Sequence, residues 1–253
     1  TDLLTDAAIG FIDKEVTAER PFFCYLAYNA PHTPALVSDD YFDRFKAMGL
    51  SDKEAAIYGM LASLDDNMQR LFDHMRDLGI WEDTIIIFMS DNGPIRGRYN
   101  AGLKGWKAHY DEGGVRVPFF IRWGDHFANG DIVKERLAHI DVLPTLVKLC
   151  GLKGSSDLSL DGQDFSSLLY DTEAFWPDRI LYTLPEGNRE HIENFGSVRD
   201  REWLAVKQNG QWSLYHLSQD PTQQVNLAEN RPDILARMRD AYEQKYASMP
   251  YRF

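Results

Sequence analysis

The chain has 253 residues, 44% of them hydrophobic, enough to bury a sizeable core in one large or two small domains. With 27 Lys and Arg against 39 Asp and Glu, its net charge of −12 at pH 7 argues against nucleic acid or an anionic membrane surface as a general partner. No apolar run approaches the length of a membrane span.

From the beginning of the chain, residues 2–18 predict an amphipathic helix with Leu3, Leu4, Ala7, Phe11 and Ile12 on one side. An apolar strand from Phe22 to Tyr28 follows, and Pro31-His32-Thr33-Pro34 places a histidine at its carboxyl end. A lone histidine serves structure as readily as chemistry. Ser51 followed by Glu54 is a capping-box signature. Ile57, Leu61, Leu64, Met68, Leu71, Met75 and Leu78 then recur at steps of four and three, predicting one long core-packing helix ended by Gly79. Met60, Met68 and Met75 belong to that stripe, and Asp65 and Asp66 to the solvated side.

The next strand, Thr84 to Met89, runs into the turn Ser90-Asp91-Asn92-Gly93. In α/β folds ligands collect where strands end at their carboxyl edge, so Asp91 and Asn92 stand where chemistry is expected. Their oxygens make half a site for a hard cation, and the same residue types also make an ordinary strand-ending turn. Downstream, Lys104, Lys107 and His109 lie among Gly102, Gly105, Gly113 and Gly114, a composition that lets backbone and cations approach an anion closely. Arg96 and Arg98 extend this basic cluster inside an acidic chain, and a second strand is expected from Val115. Alternating helix and apolar strand up to Phe120 predicts a mixed or parallel sheet covered on both faces.

Beyond it come a short helix from Val142 to Leu149 closing at Gly151, and a turn-rich connection over 152–178. The runs ILYTL, WLAVKQ and WSLYHL follow, the last two separated by the hairpin signal Asn209-Gly210. They predict a small antiparallel sheet, with a helix from Asp233 to about Ala247 packing on it, capped around Arg231-Pro232-Asp233. Cys24 and Cys150 sit in unlike apolar contexts and are expected to be small buried hydrophobes. The absence of an N-x-S/T sequon favours a bacterial source.

The segments PFFCYLAYNAPHTP, SDNG and GLKGWKAHYDEGGVRVP, in that order, resemble those of the sulfatases of the alkaline phosphatase superfamily. AHIDVLPTLVKLCGL, LDGQDF and LYHLSQDPTQQVNLAEN resemble the tail of the same family, so the likeness spans nearly the whole chain. It implies an α/β fold with a mixed sheet flanked by helices on both faces, its N-terminal part missing, and a small C-terminal antiparallel sheet plus helix. Domain bounds are then 1–151 for part of the catalytic domain, 152–178 for a connection and 179–253 for a C-terminal subdomain. The same likeness makes Asp91 and Asn92 ligands of a divalent cation, calcium or magnesium. It makes Lys107, at the head of the K-x4-EGG block, the holder of sulfate oxygens, with Lys104 as its neighbour, and His32 the group that contacts the ester and protonates the departing alcohol. His109 and His139 have no counterpart role and are read as structural.

Sulfatases attack sulfur with a formylglycine made within a C/S-x-P-S/A-R motif, and no part of this sequence fits that motif. The nucleophile is therefore expected only in an upstream segment, and the chain by itself is expected to be inactive. That upstream segment, or a second copy, would cover exposed sheet edges. The implied substrate is a sulfated small molecule or glycan, selected by loops such as Asn188 to Asn194 and 96–100, and the implied location is periplasmic or secreted in a bacterium. Three other readings stand beside this one: a phosphodiesterase or phosphonate monoester hydrolase of the same superfamily, a non-catalytic binding or scaffold remnant, and a purely structural fragment cut from a larger chain.

Overall fold

The computed structural model describes residues 1–153, 159–185 and 193–248, and the chain divides into two units: Thr1–Ile85 with Trp123–Asp125, and Ile86–Arg122 with His126–Phe253.

In the first unit the helices are α1 (Asp2–Thr17), α2 (Asp39–Lys46) and α3 (Asp52–Asp77). α3 starts where the capping box predicts. The Ser51 hydroxyl accepts from the Glu54 amide at 3.3 Å, and the Glu54 carboxylate accepts from the Ser51 amide at 3.1 Å. It ends as Gly79 predicts: Ile80 donates to the Met75 carbonyl and Gly79 to that of Arg76, which satisfies the last carbonyls.

The face that α1 buries differs from the expected one. Thr5, Ala8 and Ile12 are buried, whereas Leu3 is 84% exposed and Leu4, Ala7 and Phe11 also face outward. The reason is the polar seam with α3, where Asp2, Asp6 and Asp13 pair with Asn67, Arg70 and His74 at 2.6, 2.6 and 2.7 Å and fix the rotation of α1. α3 largely keeps its expected stripe, burying Ile57, Met60, Leu64 and Met75 together with the polar Ser63 and Asn67, while Leu61 stays exposed. The expected strand from Phe22 to Tyr28 is not one: a ladder needs a neighbouring backbone, and this segment has no strand partner among the described residues. Cys24 lies on that exposed stretch and Cys150 at a helix end, so both thiols are exposed rather than buried.

In the second unit, β1 (Ile86–Met89) pairs antiparallel with β2 (Phe119–Arg122), in register from Ile86 opposite Arg122 to Met89 opposite Phe119. Val115 does not open the second strand. It closes the helical turn α4 (Glu112–Val115), in which Arg116 donates back to the Glu112 carbonyl at 2.8 Å, and the strand begins at Phe119. α5 (Val142–Leu149) and α6 (Ser166–Tyr170) are joined through buried Asp141. Its carboxylate accepts from the amides of Ala138 and Gln163 and from the Arg179 guanidinium. One side chain thus holds together the AHID and LDGQDF blocks.

The second sheet has the order β3 (Leu181–Thr183), β4 (Gly196–Arg199), β5 (Trp203–Gln208) and β6 (Gln211–His216), antiparallel throughout. β4 carries no signal that the sequence reading used. The β5–β6 turn is the expected two-residue one, with Asn209 at φ 52° and Gly210 at φ 76°, the left-handed pair that matches strand twist. α7 (Pro232–Ser248) has proline in its first turn and covers one face of the sheet, where Met238 and Tyr242 pack with Val198, Trp203, Ala205 and Leu214. Leu204, Val206, Tyr215 and Leu217 form a separate cluster on the opposite face, and Tyr110 packs on it.

Candidate functional site

The site is built where β1 ends. Asp91 folds into an Asx-type turn: its carboxylate accepts from the Asn92 amide at 2.9 Å and from the Asn92 side-chain amide. The exposed carboxylate and the Asn92 carboxamide oxygen remain at the strand's carboxyl end. His139 donates from Nε2 to the Ser90 carbonyl at 2.8 Å, so it fixes the end of the strand from outside. That placement accords with its structural reading.

The basic loop closes onto this turn through backbone contacts. Gly93 donates to the Gly114 carbonyl at 2.9 Å, Lys107 to that of Pro94 at 2.7 Å, and Gly113 to that of Lys104 at 2.7 Å. A Cβ on Gly93 would collide with the Gly113 backbone, and one on Gly113 with the carbonyls of Lys104 and Gly105. Only glycine permits this layering, which brings the Lys107 backbone against Pro94, two residues from Asn92. Asn100 pins the preceding turn by donating to the carbonyls of Leu103 and Gly105 at 2.7 and 2.9 Å. Tyr99 beside it is 83% exposed.

The cations of the loop are not equivalent. The Lys104 ammonium donates to the Tyr215 hydroxyl and lies 3.7 Å from the Asp111 carboxylate. Burial alone would depress its pKa, but Tyr215 and Asp111 outweigh that and raise it above the ordinary lysine value. This tether is therefore complete below the ordinary lysine pKa and is lost only as pH rises through the still higher folded value. Arg96 stacks over the Trp106 ring at 5.1 Å, and Trp106 lies 4.1 Å from the His109 ring, centroid to centroid. Lys107 is half-buried, and its ammonium has neither hydrogen bond nor ion pair among the described residues. It is thus the loop cation most available to an incoming anion.

The loop's carboxyl stem is held by residues to which the sequence reading gave no role. Asp111 and Glu112 are 3% and 6% exposed. Gln223, at 3%, donates from Nε2 to Asp111 Oδ1 and accepts at Oε1 from the Glu112 amide, both at 2.8 Å. Arg199 on β4 pairs with the Glu112 carboxylate. Burial pushes its guanidinium down to about 10, which leaves it charged at neutral pH. The available signal was the LYHLSQDPTQQVNL block, which the likeness marked without assigning any of its residues.

His32 belongs to the first unit. It is exposed, lies between the cis prolyl bonds Ala30-Pro31 and Thr33-Pro34, and donates from Nδ1 to the Thr33 carbonyl at 2.7 Å. Nε2 is the nitrogen left for proton transfer. In the second unit Asp91, Asn92, Lys104 and Lys107 share one loop cluster. Residues 188–192 of the expected selectivity loop lie outside the described residues.

For a metal, Asp91 and Asn92 offer a carboxylate and an amide, hard oxygens suited to calcium or magnesium rather than zinc. Among the described residues no group of three or more His, Cys, Asp or Glu side chains is placed to hold an ion. The pair therefore fits a hard cation as part of a ligand set.

Comparison with known proteins matches residues 1–152 to the family model "Sulfatase" and residues 103–247 to "N-sulphoglucosamine sulphohydrolase, C-terminal". The chain is 28% identical over 276 residues to the "Uncharacterized sulfatase YdeN" of Escherichia coli (strain K12), covering 94% of this chain and 49% of that protein. It is 35% identical over 251 residues to Arylsulfatase A of Homo sapiens, covering 87% and 48% respectively. Among solved structures, Ps i-CgsB in complex with k-i-k-neocarrahexaose superposes with a TM-score of 0.89 at 29% identity, covering all of this chain and 56% of that one. The chain spans about half the length of the curated relatives it matches.

Proposed function

The chain belongs to the sulfatase family, a family of hydrolases with the alkaline phosphatase-like α/β fold, and on that premise we propose that its 90–114 segment supplies the cation and oxyanion contacts of a sulfuric ester hydrolase. The observation that carries this reading is the half-buried Lys107 ammonium, unpaired among the described residues, on a loop closed by glycine contacts beside Asp91 and Asn92.

Asp91 and Asn92 would hold the cation through oxygen. When bound, a cation there supplies Lewis-acid polarisation of a sulfate oxygen, and formylglycine, contributed by a segment outside these residues, supplies the nucleophile. Lys107 offsets negative charge on the transferring sulfuryl group. Lys104, already tethered to Tyr215 and Asp111, adds positive potential to the pocket without being free to follow the anion. His32 delivers a proton from Nε2 to the departing alcohol oxygen, its ring held by the Nδ1 bond to Thr33. The relative solved with a neocarrahexaose supports a sulfate carried on a saccharide as the substrate class.

The reading is tested by metal analysis and turnover together. In purified full-length protein, Asp91→Ala is expected to lose bound metal and sulfate-ester hydrolysis in parallel, while Lys107→Ala loses hydrolysis and keeps the metal. Normal metal stoichiometry in Asp91→Ala would overturn the ligand assignment.

A further inference from the structure

We propose that Gln223 is a positioning residue for the oxyanion loop, resting on the reading above that Lys107 meets the anion. Three observations converge on it. Its carboxamide uses both ends: Nε2–H donates to Asp111 Oδ1, and Oε1 accepts the Glu112 amide. Its backbone is left-handed at φ 57°, a conformation non-glycine residues adopt only where the surroundings impose it. All three partners are nearly inaccessible to water, with Gln223 and Asp111 at 3% and Glu112 at 6% exposed.

The position of the clamp gives it consequence. Asp111 Oδ1 is shared between the Gln223 amide and the Lys104 ammonium, and the Lys104 carbonyl closes the loop by accepting from Gly113. Releasing Asp111 and Glu112 would therefore loosen both stems of the segment that carries Lys107. The exchange of amide for carboxylate in Gln223→Glu is diagnostic. The introduced carboxyl group would still accept from the Glu112 amide but could donate to Asp111 only when protonated, and two buried carboxylates in contact cannot both ionise without cost.

The test measures inorganic sulfate affinity by calorimetry, and amide hydrogen exchange across 104–114, in the full-chain protein. Gln223→Ala is expected to weaken sulfate binding about tenfold, as loss of a buried two-bond clamp implies, and to speed exchange in 104–114 while β5 and β6 exchange as before. Gln223→Glu is expected to show a deficit relative to wild type that is large near pH 8 and shrinks toward about pH 5. It is nearly isosteric, so it carries the test if the alanine variant fails to fold. Unchanged sulfate affinity in Gln223→Ala, or a pH-independent ratio for Gln223→Glu, would overturn the inference alone. A wild-type protein that binds no sulfate would overturn the oxyanion reading and this inference with it.

Discussion

At the scale of single residues the loop separates cations by what already holds them. The Lys104 ammonium is engaged by Tyr215 and Asp111, and the Lys107 ammonium has no hydrogen bond or ion pair among the described residues. Lys107→Ala should therefore lower hydrolysis of every sulfate ester alike, because it removes charge stabilisation at the sulfuryl group. His32→Ala should spare esters with good leaving groups and impair poor ones by about 10²- to 10⁴-fold, the range of general acid catalysis. Measured across a leaving-group series, an equal loss for His32→Ala would remove the general-acid role. Asp91, Asn92, Lys104 and Lys107 were all nameable from the sequence because they sit in short blocks with local meaning. Gln223 and Arg199 were not: Gln223 reaches Asp111 across 112 positions, and no local pattern announces such a pairing.

At the scale of elements, what was legible is what is local. The Ser51–Glu54 box and the Asn209-Gly210 turn form as their chemistry dictates, because cap and turn energies depend on neighbours a few residues away. On α3 the spacing did mark the buried stripe, with Ile57, Met60, Leu64 and Met75 inside and Leu61 turned out. The face of α1 was not legible, since the Asp2–Asn67, Asp6–Arg70 and Asp13–His74 contacts outrank its apolar count. The expected strand at Phe22–Tyr28 failed for the complementary reason, that a strand is defined by a partner its own residues do not specify. The capping box gives a direct check. Ser51→Ala removes the acceptor of the Glu54 amide and is expected to destabilise the protein by about 1 kcal/mol, read as a lower denaturation midpoint. A midpoint unchanged from wild type would show that α3 is held by its packing alone.

At the scale of the molecule, the chain carries the residues proposed to meet sulfate and cation, yet neither cysteine lies in a motif that directs formylglycine formation. The covalent route proposed above depends on that nucleophile. The 253-residue polypeptide by itself is therefore expected to show no turnover of an activated aryl sulfate with calcium present. Turnover clearly above that of a Lys107→Ala control would reveal a nucleophile among these residues. Leu3, Phe23, Tyr25 and Leu36 are each at least 75% exposed, so the same preparation is expected to self-associate, as light scattering would show.

The second sheet carries α7 on one face and Tyr110, at the root of the Lys104–Gly113 loop, on the other. This gives the gene an unexpected point of fragility at the codons for α7. A nonsense codon at 232 would leave the codons for Asp91, Asn92, Lys104 and Lys107 untouched. It would nevertheless delete Met238 and Tyr242, uncover Val198, Ala205 and Leu214, and unseat the strands that carry Arg199 and Tyr215. Such an allele would score as null in any screen, although a survey of its site residues would find every one intact.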